Sequence, residues 1–188
     1  MVMPATIRRW TKELVQSLPN DGNRYELVAG ELLVTPAPTA WHQGVHWRLT
    51  TAIADYLRPL GLLETARAAA ADISWTPDDL VQPDIFVVAP EDLSLDWSTY
   101  RRLRLVVEVL SPSSRRGDRV VKRRLYQQNG VETYWIVDPD RHVVEVWHPG
   151  DAEAQAVTDT LTWRVTPSSP ELTIALAGIF RPLPDRTR

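Results

Sequence analysis

The chain has 188 residues, of which 44% are hydrophobic and 24% are charged, and it carries a net charge of −3. This length and composition predict one globular domain over residues 1–188, and the pattern of the chain places a core at about 20–150 with C-terminal strands and a short helix to residue 183. The absence of cysteine excludes disulfides, thiolate metal sites and thiol nucleophiles. No apolar run approaches the ~20 residues of a membrane span, so we expect a cytoplasmic protein without membrane association.

The N-terminal part of the chain is predicted to contain two helices with a hairpin between them. Apolar residues recur at helical spacing over residues 6–18, with Thr6 as the N-cap. Residues 24–34 form two strand-like runs around a turn, which predicts a β-hairpin. A helix is predicted over residues 39–57, with Thr39 as its N-cap. Residues 63–75 mix alanines with residues that favour strands, and we assign them to a strand.

The rest of the chain alternates apolar, β-branched runs with polar loops. The two most apolar runs, residues 81–88 and 103–110, predict buried strands of a central sheet. Residues 118–128 follow them with helical periodicity. The remaining predicted elements are a short helix near residues 91–95, hairpin strands at 133–137 and 142–147, edge strands near 156 and at 161–165, and a short apolar helix near 174–180. The whole pattern predicts a mixed sheet flanked by helices.

Each of the two central strand runs contains one carboxylate, Asp84 at the start of the first and Glu108 near the end of the second. An ionised acid inside an apolar strand is costly unless a cation pairs with it. If the strands are neighbours, one divalent cation can pair with both acids, and ligation by oxygen alone suits Mg²⁺ or Mn²⁺. The alternative is that Asp84 caps a strand end while Glu108 pairs with Arg104 or Arg116.

Four segments of the chain together resemble a known family. They are YELVAGEL at residues 25–32, VQPD at 81–84, VEVLSPSS at 107–114 and GVETYWIVDP at 130–139. In this order, over about residues 25–147, they resemble the Uma-two family of bacterial restriction-endonuclease-like proteins, within the PD-(D/E)xK nuclease superfamily. The resemblance implies an α/β (α+β) fold in which a mixed central β-sheet is flanked by helices, forming a single nuclease-like domain.

The resemblance also implies an activity, the hydrolysis of phosphodiester bonds in DNA by an endonuclease with Mg²⁺ or Mn²⁺ as cofactor. Carried onto this sequence, Asp84 and Glu108 are catalytic metal ligands, the backbone carbonyl of Val109 is a third ligand, and Glu26 is a further acid of the site. Many nucleases of the superfamily act in pairs, so a homodimer is expected by analogy.

The catalytic lysine is the point at which this sequence departs from the superfamily pattern. The strand position two residues after Glu108 is Leu110, and Lys122 in the following helix occupies the position that the family pattern uses instead. A lysine there is long enough to enter the site, orient water and screen charge on a phosphate. The alternative is that Lys122 forms only a solvated i,i+4 ion pair with Asp118.

Four residues are candidates for substrate binding. Arg115, Arg116 and Arg119 belong to a basic stretch after the second acid-bearing strand, and arginines can hold phosphates through paired hydrogen bonds. A solvated helix face is the alternative for such a stretch. His42 and His46 lie at i,i+4 in a helix, a spacing that can bind zinc, but no third nitrogen or sulfur ligand is apparent. We therefore assign His42 to contact with the substrate or the acids.

Two other functions stay open at this point. A catalytically inactive relative would keep the fold to bind nucleic acid or a partner protein, which Leu110 and the acidic net charge favour. A glycosidase with two carboxylates would require a sugar cleft rich in exposed aromatic residues.

Overall fold

The computed structural model describes residues 9–68, 71–94 and 96–182. Its centre is a mixed sheet of six strands in the order β3-β4-β5-β6-β7-β8. The strands are β3 (Ala66–Arg67), β4 (Ile85–Val88), β5 (Leu103–Val109), β6 (Tyr134–Asp138), β7 (Val143–Trp147) and β8 (Gln155–Val157). β5 and β6 run parallel, and the other neighbouring pairs are antiparallel. The predicted mixed central sheet is therefore confirmed.

Two antiparallel hairpins stand beside this sheet. β1 (Arg24–Val28) pairs with β2 (Glu31–Thr35), and β9 (Thr160–Trp163) pairs with β10 (Leu172–Ala175). The turn of the first hairpin, predicted from sequence, has positive φ angles of 51° at Ala29 and 82° at Gly30, as the two-residue turns of hairpins require. A single bridge between Leu27 and Leu80 ties β1 to the segment before β4. This bridge brings Glu26 next to the central sheet.

Helix α2 (Ala40–Leu57) covers one face of the sheet. It begins as predicted, because the side chain of Thr39 accepts a hydrogen bond from the backbone N–H of His42. The buried apolar residues of α2 recur every four positions and pack on the strands in the larger core cluster. They are Val45, Leu49, Ile53 and Leu57.

The opposite face is covered by a helical segment that starts as a π-helix, Gly117–Lys122, and continues as α3 (Arg123–Gln128). Leu125 and Tyr126 of α3 pack in the second core cluster. The helix predicted over residues 118–128 is thus confirmed, although its first part is a π-helix and not an α-helix. π-Helical turns are rare in proteins, but those that occur are often found at functional sites. This one carries two buried charged residues, Asp118 and Lys122.

The first helix is shorter than predicted. α1 (Lys12–Gln16) has Thr11 as its N-cap, whose side chain accepts a hydrogen bond from Leu14 N. The predicted cap, Thr6, lies outside the described residues. Trp10 is not helical, because its backbone N–H donates instead to the carbonyl of Gly30 in the first hairpin. Contact with the hairpin therefore fixes where this helix begins.

Three other predicted elements differ from the structure. Among the described residues of 63–75, only Ala66–Arg67 forms a strand, because Leu63–Thr65 forms a 3-10 turn and Ile73 makes only one bridge. A 3-10 turn, Pro90–Asp92, stands where the short helix near residues 91–95 was predicted. Residues 69, 70 and 95 lie outside the described part of the chain. At the C-terminus, β10 extends to Ala175, and α4 is limited to Leu176–Ile179.

Candidate active site

Asp84 and Glu108 meet at one end of the β4–β5 pair. Ile85 pairs with Val107 across these antiparallel strands, so Asp84 and Glu108, each one residue further out, come to the same edge of the sheet. Both line a small cavity of about 10 Å³, which is roughly room for one water molecule. The other predicted site residues that line this cavity are His42, Val109 and Lys122.

Lys122 projects from the π-helix and contacts three buried carboxylates. Its Nζ lies 2.7 Å from Glu26 Oε2, 3.0 Å from Glu108 Oε1 and 3.3 Å from Asp118 Oδ1. The contact with Glu26 is an ion pair whose angles fall outside those of a hydrogen bond. Only 4% of the Lys122 side chain is exposed. Lys122 is therefore not the solvated partner of Asp118 alone, because Asp118 is one of three buried acids around it.

A second set of groups holds Asp84. Arg24 Nη2 donates a hydrogen bond of 2.9 Å to Asp84 Oδ1, and the backbone N–H of Val109 donates one of 2.8 Å to Oδ2. His42 Nε2 lies 3.3 Å from the same Oδ2. His46 Nε2 lies 3.0 Å from the backbone oxygen of Asp84. These contacts fix the carboxylate at the end of β4.

The cluster contains more acidic groups than basic ones. The buried carboxylates are Glu26, Asp84, Glu108 and Asp118, and the cations beside them are Lys122 and Arg24. Burial raises the pKa of Glu108 well above its ordinary value, although the charge of Lys122 opposes this. Burial also raises the pKa of Asp118. The cluster is therefore one that takes up positive charge, either as protons or as a cation.

Asp84 and Lys122 keep their charges. Burial alone would raise the pKa of Asp84, but the hydrogen bond with His42 and the charge of Arg24 bring it below its ordinary value. For Lys122, burial acts to lower the pKa, and the carboxylates, led by Glu108, raise it well above its ordinary value. At neutral pH, Asp84 is an anion and Lys122 is an ammonium ion.

Tyrosine and arginine side chains that were not predicted complete the site. The hydroxyl of Tyr126 donates a hydrogen bond of 2.9 Å to Glu108 Oε1. Arg24 donates a hydrogen bond to Asp84. Two sequence signals were available, since Tyr126 follows Lys122 by one helical turn and Arg24 precedes Glu26 by two strand positions. Residues at these spacings share a face.

The donors at this cavity suit a hard divalent cation. Asp84, Glu108 and Val109 line it, and the buried cluster has an excess of negative charge. Within residues 9–68, 71–94 and 96–182, no group of three or more His, Asp or Glu side chains is arranged to hold a metal ion. The predicted ligand set needs only two such side chains, since a backbone oxygen is a common ligand of these ions. The residues present therefore fit Mg²⁺ or Mn²⁺.

Replacing Tyr126 by phenylalanine is expected to lower the free energy of unfolding by about 1–2 kcal/mol, because a buried hydrogen bond to Glu108 is lost. We also expect Mn²⁺ binding to weaken by about tenfold, as is common when a partner of a metal ligand is removed. Urea denaturation and calorimetric titration with Mn²⁺ measure the two effects. Tyr25→Phe is the matched control, since the Tyr25 hydroxyl binds Asp21 at the surface. Unchanged Mn²⁺ affinity in Tyr126→Phe would contradict this role.

The three predicted substrate-binding arginines lie in different surroundings. Arg119 Nη2 is 2.8 Å from Asp138, and Arg115 pairs with Asp140 in the turn after β6. These pairs tie the helical segment to the β6–β7 hairpin. Arg116 is exposed and lines a neighbouring cavity of about 190 Å³. Of the three, Arg116 is the one whose charge faces a cavity next to the cluster.

The two histidines of α2 stack on each other. The ring centroids of His42 and His46 are 6.4 Å apart with an interplanar angle of 11°. Both contact Asp84, one at its carboxylate and the other at its backbone oxygen. The predicted contact of His42 with the acid cluster is therefore present in the structure.

Comparison with known proteins identifies the family. Residues 12–177 match the Uma2 family, described as "Putative restriction endonuclease". The chain belongs to the Uma2 family. This Uma2 chain is also similar to the crystal structure of a "putative nuclease belonging to DUF820" from Anabaena variabilis ATCC 29413, with a TM-score of 0.74 and 19% sequence identity. The similarity covers 91% of this chain and 97% of that one, and at this identity it shows the fold alone.

A comparison with curated proteins found no match to this Uma2 chain. Its family and fold are thus those of restriction-endonuclease-like proteins, as the sequence predicted. None of the helices in the described part of the chain is long and apolar enough to cross a membrane.

Proposed function

We propose that this Uma2 protein is a metal-dependent endonuclease that hydrolyses phosphodiester bonds in DNA. The position of Lys122 supports the proposal most strongly. Leu110 stands where the superfamily pattern has its lysine, yet the π-helix brings Lys122 Nζ to 3.0 Å from Glu108. An ammonium group therefore lies beside the carboxylates, where a nuclease of this class needs one.

In this proposal Asp84 and Glu108, with the backbone carbonyl of Val109, hold Mg²⁺ or Mn²⁺. The cation, when bound, supplies an activated water and neutralises charge on the phosphate. Tyr126 fixes one oxygen of Glu108 through its 2.9 Å hydrogen bond. The carboxylate thus keeps one orientation toward the cavity.

Lys122 and Arg24 are the two permanent cations close to the attacked phosphate. The ammonium of Lys122 stabilises negative charge that develops on the phosphate oxygens. Glu26 positions it through the ion pair of 2.7 Å. Arg24 holds Asp84, and 23% of its side chain is exposed, so its guanidinium reaches the cavity as well. These residues supply positive charge on two sides of the carboxylates.

The remaining proposed roles concern the rest of the substrate. His42 lines the cavity beside Asp84 and would contact the substrate there. Arg116 would bind a phosphate from its exposed position. Arg115 and Arg119 would do so after leaving their acidic partners in the β6–β7 hairpin.

Incubation of the purified protein with labelled single-stranded, duplex and branched DNA tests the activity. We expect cleavage with Mg²⁺ or Mn²⁺ and none with EDTA, because the carboxylates need a cation to act on a phosphate. Gel electrophoresis of the products measures the result, and Glu91→Gln, which changes a surface carboxylate, serves as a control. Absence of cleavage of all three substrates with both metals would overturn the proposal. DNA binding without cleavage would support the inactive alternative.

A further inference from the structure

A third cavity, of about 220 Å³, opens beside the acid cluster on the side of α2. We call it the α2 pocket, and its lining includes Arg24, His42, Gln43, His46 and Asp84. Arg24, His42 and Asp84 also line the small cavity that contains Glu108. The α2 pocket is therefore continuous with the proposed catalytic centre.

The cavity of about 190 Å³ lies on the other side of the cluster. We call it the hairpin pocket, because Glu31 and Val34 of β2 line it together with Glu26 and Arg116. Asp118 and Lys122 line both this pocket and the small cavity. The proposed catalytic centre thus has a larger space on each side of it.

The two pockets differ in charge. The α2 pocket contains one carboxylate, Asp84, which is paired with Arg24, and two histidines. Three carboxylates and two cations line the hairpin pocket; they are Glu26, Glu31, Asp118, Arg116 and Lys122. A polyanionic strand is repelled by like charges on the surface that it approaches. Electrostatics therefore favour the α2 pocket as the place where a nucleic acid strand lies.

Two further observations point to a ligand in the α2 pocket. His42 and Gln43 belong to the first turn of an 18-residue helix, whose N-terminus carries partial positive charge and favours anions. His42 is buried, and its Nδ1 has no hydrogen-bond partner among the residues that the structure describes. A buried nitrogen without a partner is uncommon and leaves a hydrogen bond available to a bound molecule.

We propose that the α2 pocket binds the nucleotide on one side of the scissile phosphate, so that the DNA strand approaches the carboxylates along the first turn of α2. This inference rests on the proposed function, since it takes DNA as the substrate. Gln43 is exposed at the pocket and does not contact the carboxylates, so its replacement changes the pocket alone.

Gln43→Glu and Gln43→Arg shift the charge of the pocket in opposite directions. We expect Gln43→Glu to weaken binding of a labelled phosphorothioate DNA strand by about tenfold and Gln43→Arg to strengthen it by several-fold. Both effects should shrink as salt is added, because salt screens charge. Fluorescence anisotropy in EDTA measures affinity without cleavage. An acidic residue in the first turn of a helix is favourable, so Gln43→Glu should fold.

Two control variants separate the pocket from its surroundings. Thr51→Glu adds the same charge to the exposed part of α2 outside the pocket, and Val34→Glu adds it to the hairpin pocket. We expect each to change the affinity less than twofold. An effect of Val34→Glu equal to or larger than that of Gln43→Glu would overturn the inference.

The outcomes also distinguish this inference from the proposed function. A wild-type protein that cleaves DNA, with affinity that does not depend on Gln43, would remove the pocket assignment and leave the nuclease. A protein that binds DNA through Gln43 but never cleaves it would keep the α2 pocket as a place where DNA binds and would remove the nuclease. A protein that binds no DNA would overturn both.

Discussion

Asp84→Asn is expected to reduce Mg²⁺-dependent cleavage of DNA by about 100- to 1,000-fold or more. The substitution keeps the size of the side chain and removes one negative charge from the small cavity. Arg24, now 2.9 Å from a carboxylate oxygen, would face a neutral amide, which makes the site less attractive to a divalent cation. Initial cleavage rates and calorimetric titration with Mn²⁺ measure the two consequences.

Glu108→Gln should have an effect of the same size, since Glu108 is the second proposed ligand. Asp78→Asn is the matched control, because Asp78 also pairs with an arginine, Arg9, but at the surface. We expect this control to cleave at the wild-type rate. Cleavage by Asp84→Asn within a few-fold of wild type, with unchanged Mn²⁺ affinity, would show that this carboxylate is not a metal ligand.

Lys122→Met is expected to lower the free energy of unfolding by about 3–5 kcal/mol at neutral pH, the usual result of removing one partner of a buried ion pair. Lys122 contacts three buried carboxylates within 3.3 Å, and methionine leaves them without that charge. Urea denaturation followed by circular dichroism measures the loss. We also expect DNA cleavage to fall strongly in the remaining folded protein.

The destabilisation caused by Lys122→Met should depend on pH. Burial already raises the pKa of Glu108 and Asp118, and removal of the ammonium raises both further. A carboxyl group whose pKa is higher in the folded state than in the unfolded state binds more protons when folded, so acid favours the folded state. The difference in stability between variant and wild type should therefore be largest at neutral pH and shrink as the pH falls toward 4.5, the ordinary value for a glutamate.

Lys12→Met, at the chain's other lysine, is the control for this variant. Lys12 Nζ donates a hydrogen bond to Ser74 Oγ in a partly exposed position, so we expect a loss below about 1 kcal/mol. Adding Glu108→Gln to Lys122→Met should recover part of the stability, because it removes one of the unpaired charges. An equal loss in both lysine variants at all pH values would mean that Lys122 is only a surface lysine.

Local signals in the sequence were sufficient for much of the fold. The hairpin at Ala29-Gly30, the cap of α2 at Thr39 and the apolar runs that became β4 and β5 were all predicted correctly. Each depends on residues close together in the chain, through turn geometry, capping or periodicity. The start of α1 and the stretch over residues 63–75 were predicted wrongly. There, contacts with distant segments outweighed weak and conflicting local preferences.

The sequence indicated most of the acids that meet in the cluster. Asp84 and Glu108 each stand in or beside a strand run whose burial follows from its composition, so these charges need partners, and the family resemblance added Glu26. Family resemblance also added Lys122 as the candidate catalytic lysine. The structure brings all four together.

Only the tertiary structure decided how these charges are balanced. Whether Lys122 points to solvent or to Glu108 depends on how the π-helix turns against the sheet, and the roles of Arg24 and Tyr126 depend on the packing of β1 and α3 around the same acids. Side-chain direction on a helix follows from its rotation about its own axis, which long-range packing sets. The sequence therefore indicated which strand carboxylates need partners, and the packing of one hairpin and one helix over the sheet decided which charged side chains face them.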